Sequence, residues 1–88
     1  MPGTDYVGFT TTAGAAKARA GRLAGITVLS TITGSITVYD NPTAASGALL
    51  YVSPANATVG TFIVIDVPAK YGMWVVPGSA GAFNVVIN

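Results

Sequence analysis

The sequence predicts an all-β protein, a small antiparallel β-sandwich of about seven strands. With 88 residues, the chain has room for one domain and a modest core. Clusters of Gly, Pro, Asn and Asp recur about every 8–12 residues, which is the turn spacing of sandwiches and small barrels. The runs between them are rich in Val, Ile, Thr, Phe and Tyr, which favour a pleated sheet. The pattern leaves the strand order open, so a jelly-roll and an immunoglobulin-like sandwich both remain possible.

Seven strands are predicted in chain order, over residues 6–12, 23–30, 35–39, 48–52, 61–67, 73–76 and 82–87. In the second strand Ala24, Ile26 and Val28 share one face, because side chains alternate along a strand. Residues 31–34 then predict a turn, since Gly34 can adopt a positive φ. The third strand continues the alternation of apolar and polar residues, as expected of a half-buried antiparallel strand.

The later strands are separated by turns with recognisable chemistry. In the segment 40–43, Pro42 presets φ for a turn, and the side chain of Asp40 or Asn41 can bond the backbone ahead. Further loops are predicted at residues 53–56, 68–72 and 77–81. The last strand again alternates, with Phe83, Val85 and Ile87 on one face and asparagines among the residues on the other.

Two strands are apolar on both faces. In the strand at 61–67, Phe62 and Val64 share one face, while Ile63 and Ile65 share the other. The strand at 73–76 shows the same pattern. Such strands are either central and covered on both sides, or they present one face to another chain.

Residues 1–20 are predicted to form an extended N-terminal arm, and residues 21–88 to form the sandwich domain. Within the arm, residues 13–20 combine alanine with basic residues, which also allows a short helical turn. Lys17, Arg19 and Arg22 supply three of the four cations of the chain. They fit either an arm that contacts an acidic partner surface or nucleic acid, or a solvated edge kept soluble by charge. Three charges without interleaved aromatic residues are a weak signal for nucleic acid.

Composition excludes most catalytic classes. The chain has no His, no Cys and no Glu, so thiol chemistry, zinc-finger sites and a Ser-His pair are ruled out. The three Asp residues are scattered along the chain, which argues against an acid/base pair or a calcium site. We therefore expect a protein that is not an enzyme and that uses neither a cofactor nor a metal.

The low charge is the most informative feature. Charged residues make up 8% of the chain, against about 25% in ordinary soluble domains. A net charge of +1 predicts no direct nucleic-acid binding, and no apolar run approaches the length of a membrane span. A neutral surface suits burial in an assembly, because each buried charge would cost desolvation. A homo-oligomer is therefore predicted, with a neutral monomeric domain as the alternative.

Five short segments combine turn and strand signatures: GRLAGITV (21–28), ITVYDN (36–41), AASG (44–47), DVP (66–68) and GMWVV (72–76). Together they resemble segments of small β-sandwich virion proteins of tailed bacteriophages. The resemblance implies a non-enzymatic structural protein of the virion, made in the host cytoplasm. The implied role is capsid decoration, in which a cement protein binds the major capsid protein on the capsid exterior as an oligomer, with a trimer favoured, and stabilises the mature head.

The physical pattern, rather than the resemblance, selects the candidate contact residues for a partner. They are the cations Lys17, Arg19 and Arg22 and the apolar residues Ile63, Ile65, Trp74 and Val76. Two other binding roles remain open at this point. One is a neck, tail or fibre adaptor or host-binding module of the virion. The other is a carbohydrate-binding module that uses exposed aromatic side chains.

Overall fold

The chain forms two packed antiparallel sheets in a computed structural model that describes residues 5–53 and 55–88. Eight strands are present in the described chain: β1 (Asp5–Phe9), β2 (Gly14–Lys17), β3 (Gly21–Thr33), β4 (Thr37–Tyr39), β5 (Leu49–Val52), β6 (Phe62–Ala69), β7 (Met73–Val76) and β8 (Ala80–Ile87). Sheet A has the order β1-β8-β3-β6, and sheet B has the order β2-β7-β4-β5. The predicted all-β sandwich is confirmed.

The strand order is that of a jelly roll. The pairs β1–β8, β2–β7, β3–β6 and β4–β5 nest inside one another, as if a single long hairpin had been rolled up. The contacts β3–β8 and β4–β7 then join these pairs into two four-stranded sheets. This eight-stranded arrangement decides between the two topologies that the sequence left open.

The core lies between the sheets and is built from alternate residues of each strand. Ile26 and Val85 of sheet A, and Val38 and Val75 of sheet B, are fully buried. The rings of Phe9 and Phe83 stack with their centroids 5.7 Å apart. The faces predicted for β4 and β8 are confirmed by the burial of Val38, Phe83, Val85 and Ile87, and Ile36 just before β4 is buried as well. In β3, Ile26 and Val28 face the core as predicted, but the register shift beside Ala24 also brings Leu23 into the core.

The described part of the predicted N-terminal arm belongs to the sandwich. Residues 5–9 form β1 beside β8, and residues 14–17 form β2 beside β7. The segment is extended, as predicted, but it pairs within the sheets instead of projecting from them. Ala16 is buried in the core, so packing against β7 outweighs the helical preference of alanine. Residues 1–4, and Pro54 of the predicted loop at 53–56, lie outside the described residues.

Strand β3 is longer than predicted. The predicted turn at 31–34 is wrong for its first three residues, because β3 continues to Thr33 and pairs there with Ala80. Ile32 is buried, and this burial extends the strand. The turn instead begins at Gly34, which has the expected positive φ of 88°.

Strand β6 contains a β-bulge at Asp66. Leu23 pairs with Val67 and Gly25 pairs with Val64, so β6 holds one more residue than β3 between these two pairs. Asp66 has a φ of 56°, in the left-handed region that a bulge often requires. Its carboxylate accepts a hydrogen bond from the Arg22 guanidinium, with Nη1 and Oδ1 2.9 Å apart.

The predicted turn chemistry at residues 40–43 is confirmed. Asn41 Oδ1 accepts a hydrogen bond from the Thr43 amide at 2.9 Å. Asp40 reaches further along the chain, since its Oδ1 accepts hydrogen bonds from the amides of Tyr71 at 2.8 Å and Lys70 at 3.0 Å. The carboxylate thus ties the β6–β7 loop to the end of β4.

Candidate interaction surface

The solvent-facing side of sheet A exposes large apolar side chains. We name it outer face A. One row of this face crosses all four strands, from Tyr6 through Val86 and Gly25 to Val64. The next row ends with Phe62, which pairs with Thr27. Val64 is 73% exposed, Tyr6 63% and Phe62 54%, so this face leaves large apolar side chains in solvent.

Gly25 shapes the centre of outer face A. A Cβ atom at this position would lie 2.5 Å from the Ile63 carbonyl oxygen and 3.0 Å from Cζ of Phe62. Glycine therefore permits β6 to approach β3 closely and the Phe62 ring to cover the backbone beside it. The Phe62 ring therefore lies close to Gly25 at the β3–β6 boundary.

The solvent-facing side of sheet B, which we name outer face B, also carries apolar side chains. Trp74 lies opposite Ala15 on one side and Tyr39 on the other. The row continues from Tyr39 to Leu49 at the sheet edge. Val76 lies opposite Thr37 in the neighbouring row, which ends at Val52. Trp74 and Val76 are half-buried, whereas Leu49 and Val52 are at least half exposed.

One side of the sandwich collects exposed apolar side chains at two open strand edges. Among the described strands, β6 pairs only with β3, and β5 pairs only with β4. The two edge strands contact each other across the sheets. We name the set Leu49, Val52, Phe62 and Val64 the apolar edge. Long exposed apolar edges favour pairing with another chain.

The structure separates the three predicted cations. Lys17 Nζ donates a hydrogen bond to the Asn88 carbonyl oxygen at 2.7 Å. Arg19 is exposed, and together with Lys17 and Asp5 it lines a cleft of about 410 Å³ beside β1 and β2. Arg22 instead pairs with Asp66 at one end of outer face A. These residues therefore do not form a single basic patch.

The structure divides the four predicted apolar contact residues between two locations. Ile63 and Ile65 point inward and pack against the core. Trp74 and Val76 lie on outer face B. Sequence reasoning recognised that β6 is apolar on both faces, but it placed the candidate residues on the face that packs inward. The exposed pair is Phe62 and Val64, and only the strand order identifies which face meets solvent.

The acidic residues are engaged in structural contacts. Burial of Asp40 opposes ionisation, but hydrogen bonds from the amides of Tyr71, Lys70 and Gly72, together with the charge of Lys70, outweigh it and lower the pKa of this carboxyl. Asp66 pairs with Arg22. In the described part of the chain, no three His, Cys, Asp or Glu side chains come together as metal ligands. Residues 5–53 and 55–88 also include no helix that is long and apolar enough to span a membrane.

Comparison with protein-family models, curated proteins and solved structures found no significant match to this chain.

Proposed function

We propose that this chain is a non-enzymatic structural protein of a bacteriophage virion, and that it acts as a capsid decoration protein on the outer shell. The observation that carries the proposal is the character of its two outer faces. Both expose large apolar side chains, and the only charged side chains described on outer face A, Arg22 and Asp66, neutralise each other. Such faces suit contact with other subunits.

The low number of charged residues also supports a role as a subunit of an assembly. A free monomer normally relies on a mixed charged surface, with about a quarter or more of its surface residues charged. Here the whole chain has seven charged residues, and several are held in contacts within the fold, such as Asp40 with the β6–β7 loop. Burial of neutral faces in an assembly removes apolar surface from water without desolvating charge.

The virion assignment rests on the motif resemblance, and the topology is compatible with it. Jelly rolls occur in viral capsid and lectin domains, among others, so the fold by itself defines no function. Neutral polar and apolar surfaces fit a protein that stays bound to a shell throughout the life of the particle. The proposed partners are the major capsid protein and further copies of this chain.

The proposed mechanism is mechanical. Packed DNA presses outward on a phage head, and a decoration protein adds contact area across the seams between capsid subunits. If its site exists only on the expanded lattice, binding stabilises that lattice by the difference in affinity between the two states. Outer faces A and B supply the contact area in this mechanism.

Copy number tests the proposal. Quantitative mass spectrometry of purified particles, scaled to the major capsid protein, is expected to find hundreds of copies per particle. A handful of copies would replace decoration with the second candidate, a neck, tail or fibre adaptor or host-binding module. Absence from particles would overturn both virion roles. Binding of the purified protein to mature shells stripped of it provides an independent check.

A further inference from the structure

We propose that strand β6 pairs antiparallel with β6 of a second copy of this chain, about a two-fold axis at Ile63. Sheets A of the two copies then form one continuous eight-stranded sheet. The inference deepens the proposed function, because it names the surface through which an assembly subunit would associate with itself. It differs from the trimer that the motif resemblance favours, so a mass measurement separates the two.

The backbone of β6 has free pairing capacity at the required positions. The Val28 amide donates to the Thr61 carbonyl at 2.9 Å, and the Gly60 amide donates to the Val28 carbonyl at 3.0 Å. Hydrogen bonding alternates along an antiparallel pair, so Ile63 is the next residue of β6 directed toward β3. Phe62 and Val64 therefore direct their backbone groups toward the open edge.

The stretch from Thr61 to Ile65 is complementary to itself. With the axis at Ile63, Phe62 of one copy lies opposite Val64 of the other, and the same pair occurs twice by symmetry. Both side chains are more than half exposed and belong to outer face A. An aromatic residue opposite a β-branched residue is a favourable cross-strand pair. The stretch contains no charged residue, so nothing repels an identical chain.

The structure also limits the pairing to this stretch. Beyond Ile65, the bulge at Asp66 bends the strand, and Pro68 supplies no backbone donor. The other edge strands are less suited to pairing with a second copy. β2 and β5 have four residues each and a shifted register, and β1 carries Asp5 and Gly8. β6 is therefore the edge best suited to an identical partner.

The available area fits a reversible dimer. The molecule measures 29 × 28 × 17 Å, so a side of the sandwich seen edge-on, 29 × 17 Å at most, covers about 490 Å² before surface roughness. Specific interfaces bury about 800 Å² on each partner, which places this contact near the lower limit. Leu49 and Val52 on neighbouring β5 belong to the same apolar edge and lie within this area. We therefore expect association that depends on concentration.

Two lysine variants test the inference. Val64→Lys places a charge in the proposed pair at a 73% exposed site, so the fold should survive. Tyr6→Lys is the matched control, because it adds the same charge to the same face at the far edge of sheet A. In sedimentation velocity from micromolar to millimolar concentration, we expect the dimer dissociation constant to rise about tenfold or more for Val64→Lys. Tyr6→Lys should match the unmodified chain.

A charge exchange tests the register. Phe62→Glu and Val64→Lys should each weaken self-association, because each homodimer then contains two mismatched pairs. Mixing the two variants creates one Phe62–Val64 pair and one Glu–Lys pair, so the heterodimer should associate more tightly than either variant alone. Thermal unfolding of each variant confirms that the monomer remains folded.

The outcomes keep this inference separate from the proposed function. A wild-type chain that stays monomeric at millimolar concentration overturns the inference, as does a trimer, or equal weakening by Val64→Lys and Tyr6→Lys. Failure of the mixed variants to associate also overturns the register. Binding to shells is measured independently on the same proteins, so a monomer that still binds shells would leave the decoration role standing.

Discussion

At the scale of single residues, Asp40 shows how little charge this fold needs to hold distant segments together. One carboxylate at the end of β4 accepts hydrogen bonds from the amides of Lys70, Tyr71 and Gly72. Hydrogen bonds to the ionised form favour it, which is the reason for the lowered pKa. The contact replaces the local turn role that the sequence predicted for Asp40 with one that spans thirty residues.

We predict that Asp40→Asn destabilises the fold in a pH-dependent manner. A carboxyl with a lowered folded pKa contributes stability above its unfolded value of 3.8, and this contribution is lost as pH falls through the folded pKa. The difference in melting temperature between wild type and variant should therefore be largest at neutral pH. It should narrow progressively below pH 3.8.

Asp5→Asn is the control, because it removes the same charge from an exposed carboxylate that accepts a bond from the adjacent Tyr6 amide. Thermal unfolding monitored by circular dichroism across the acid range provides the measurement. A difference in melting temperature between wild type and Asp40→Asn that stays constant from neutral to strongly acidic pH would contradict a stabilising role of the ionised Asp40 carboxylate.

Residue periodicity predicted the inward faces of β4, of β8 and of β3 from Ile26 to Val28 correctly, but it missed the register shift that buries Leu23. It also could not rank the two faces of β6. Where apolar and polar residues alternate, as around Phe83 and Asn84, the apolar side is the core. In β6 both faces are apolar, so the alternation of side chains does not show which face is buried. The pairing of β6 with β3 at the edge of sheet A decides that Ile63 packs inward and Val64 faces solvent.

At the scale of elements, the differences between prediction and structure concern segments stabilised by distant partners. β2 consists of Gly14, two alanines and Lys17, and no local signal marks it as a strand. Its conformation depends on β7, about sixty residues later in the chain. The same holds for the last three residues of β3, which remain in the strand because Thr33 pairs with Ala80. Local chemistry predicted the turns at Gly34 and Asn41 well, since each acts within a few residues.

The bulge in β6 leads to a prediction at the element scale. Asp66→Val should cost about 1–3 kcal/mol, because a β-branched residue strongly resists the positive φ at this position. Asp66→Asn tolerates that φ and loses only the exposed ion pair with Arg22, so its cost should stay below about 1 kcal/mol.

Urea unfolding of both variants measures the difference, and Asp66→Asn serves as the control for the lost charge. Equal costs for the two substitutions would mean that the ion pair, and not the bulge geometry, dominates at this site. A stabilising effect of Asp66→Val would show that the bulge is absent.

At the scale of the whole molecule, the cleft and the apolar edge differ in charge. Lys17, Arg19 and Asp5 line the cleft beside β1 and β2. The apolar edge lies at β5 and β6, where Asp66 pairs with Arg22 beyond the uncharged stretch from Thr61 to Ile65. Composition predicted a neutral surface, but this difference follows from the jelly-roll order and was not readable from the sequence.

We predict that self-association is insensitive to ionic strength. The proposed contact contains no charge within Thr61–Ile65, and the net charge of the chain is +1. Salt therefore has little electrostatic attraction or repulsion between the two copies to screen. The dimer dissociation constant should change less than about threefold between dilute buffer and about half-molar sodium chloride. Sedimentation equilibrium at several salt concentrations measures it. A strong weakening by salt would point to the cations at the cleft as the contact.

The nesting of the strand pairs has a consequence for how the protein is made. β8, the last strand in the described chain, lies inside sheet A between β1 and β3. Until this strand leaves the ribosome, β1 lacks its neighbour and one edge of β3 stays open. The hairpin of β4 and β5 can form early because its strands are close in sequence, whereas each outer pair closes a longer loop. Completion of the sandwich therefore waits for β8, and until this strand is available the growing chain carries unpaired strand edges.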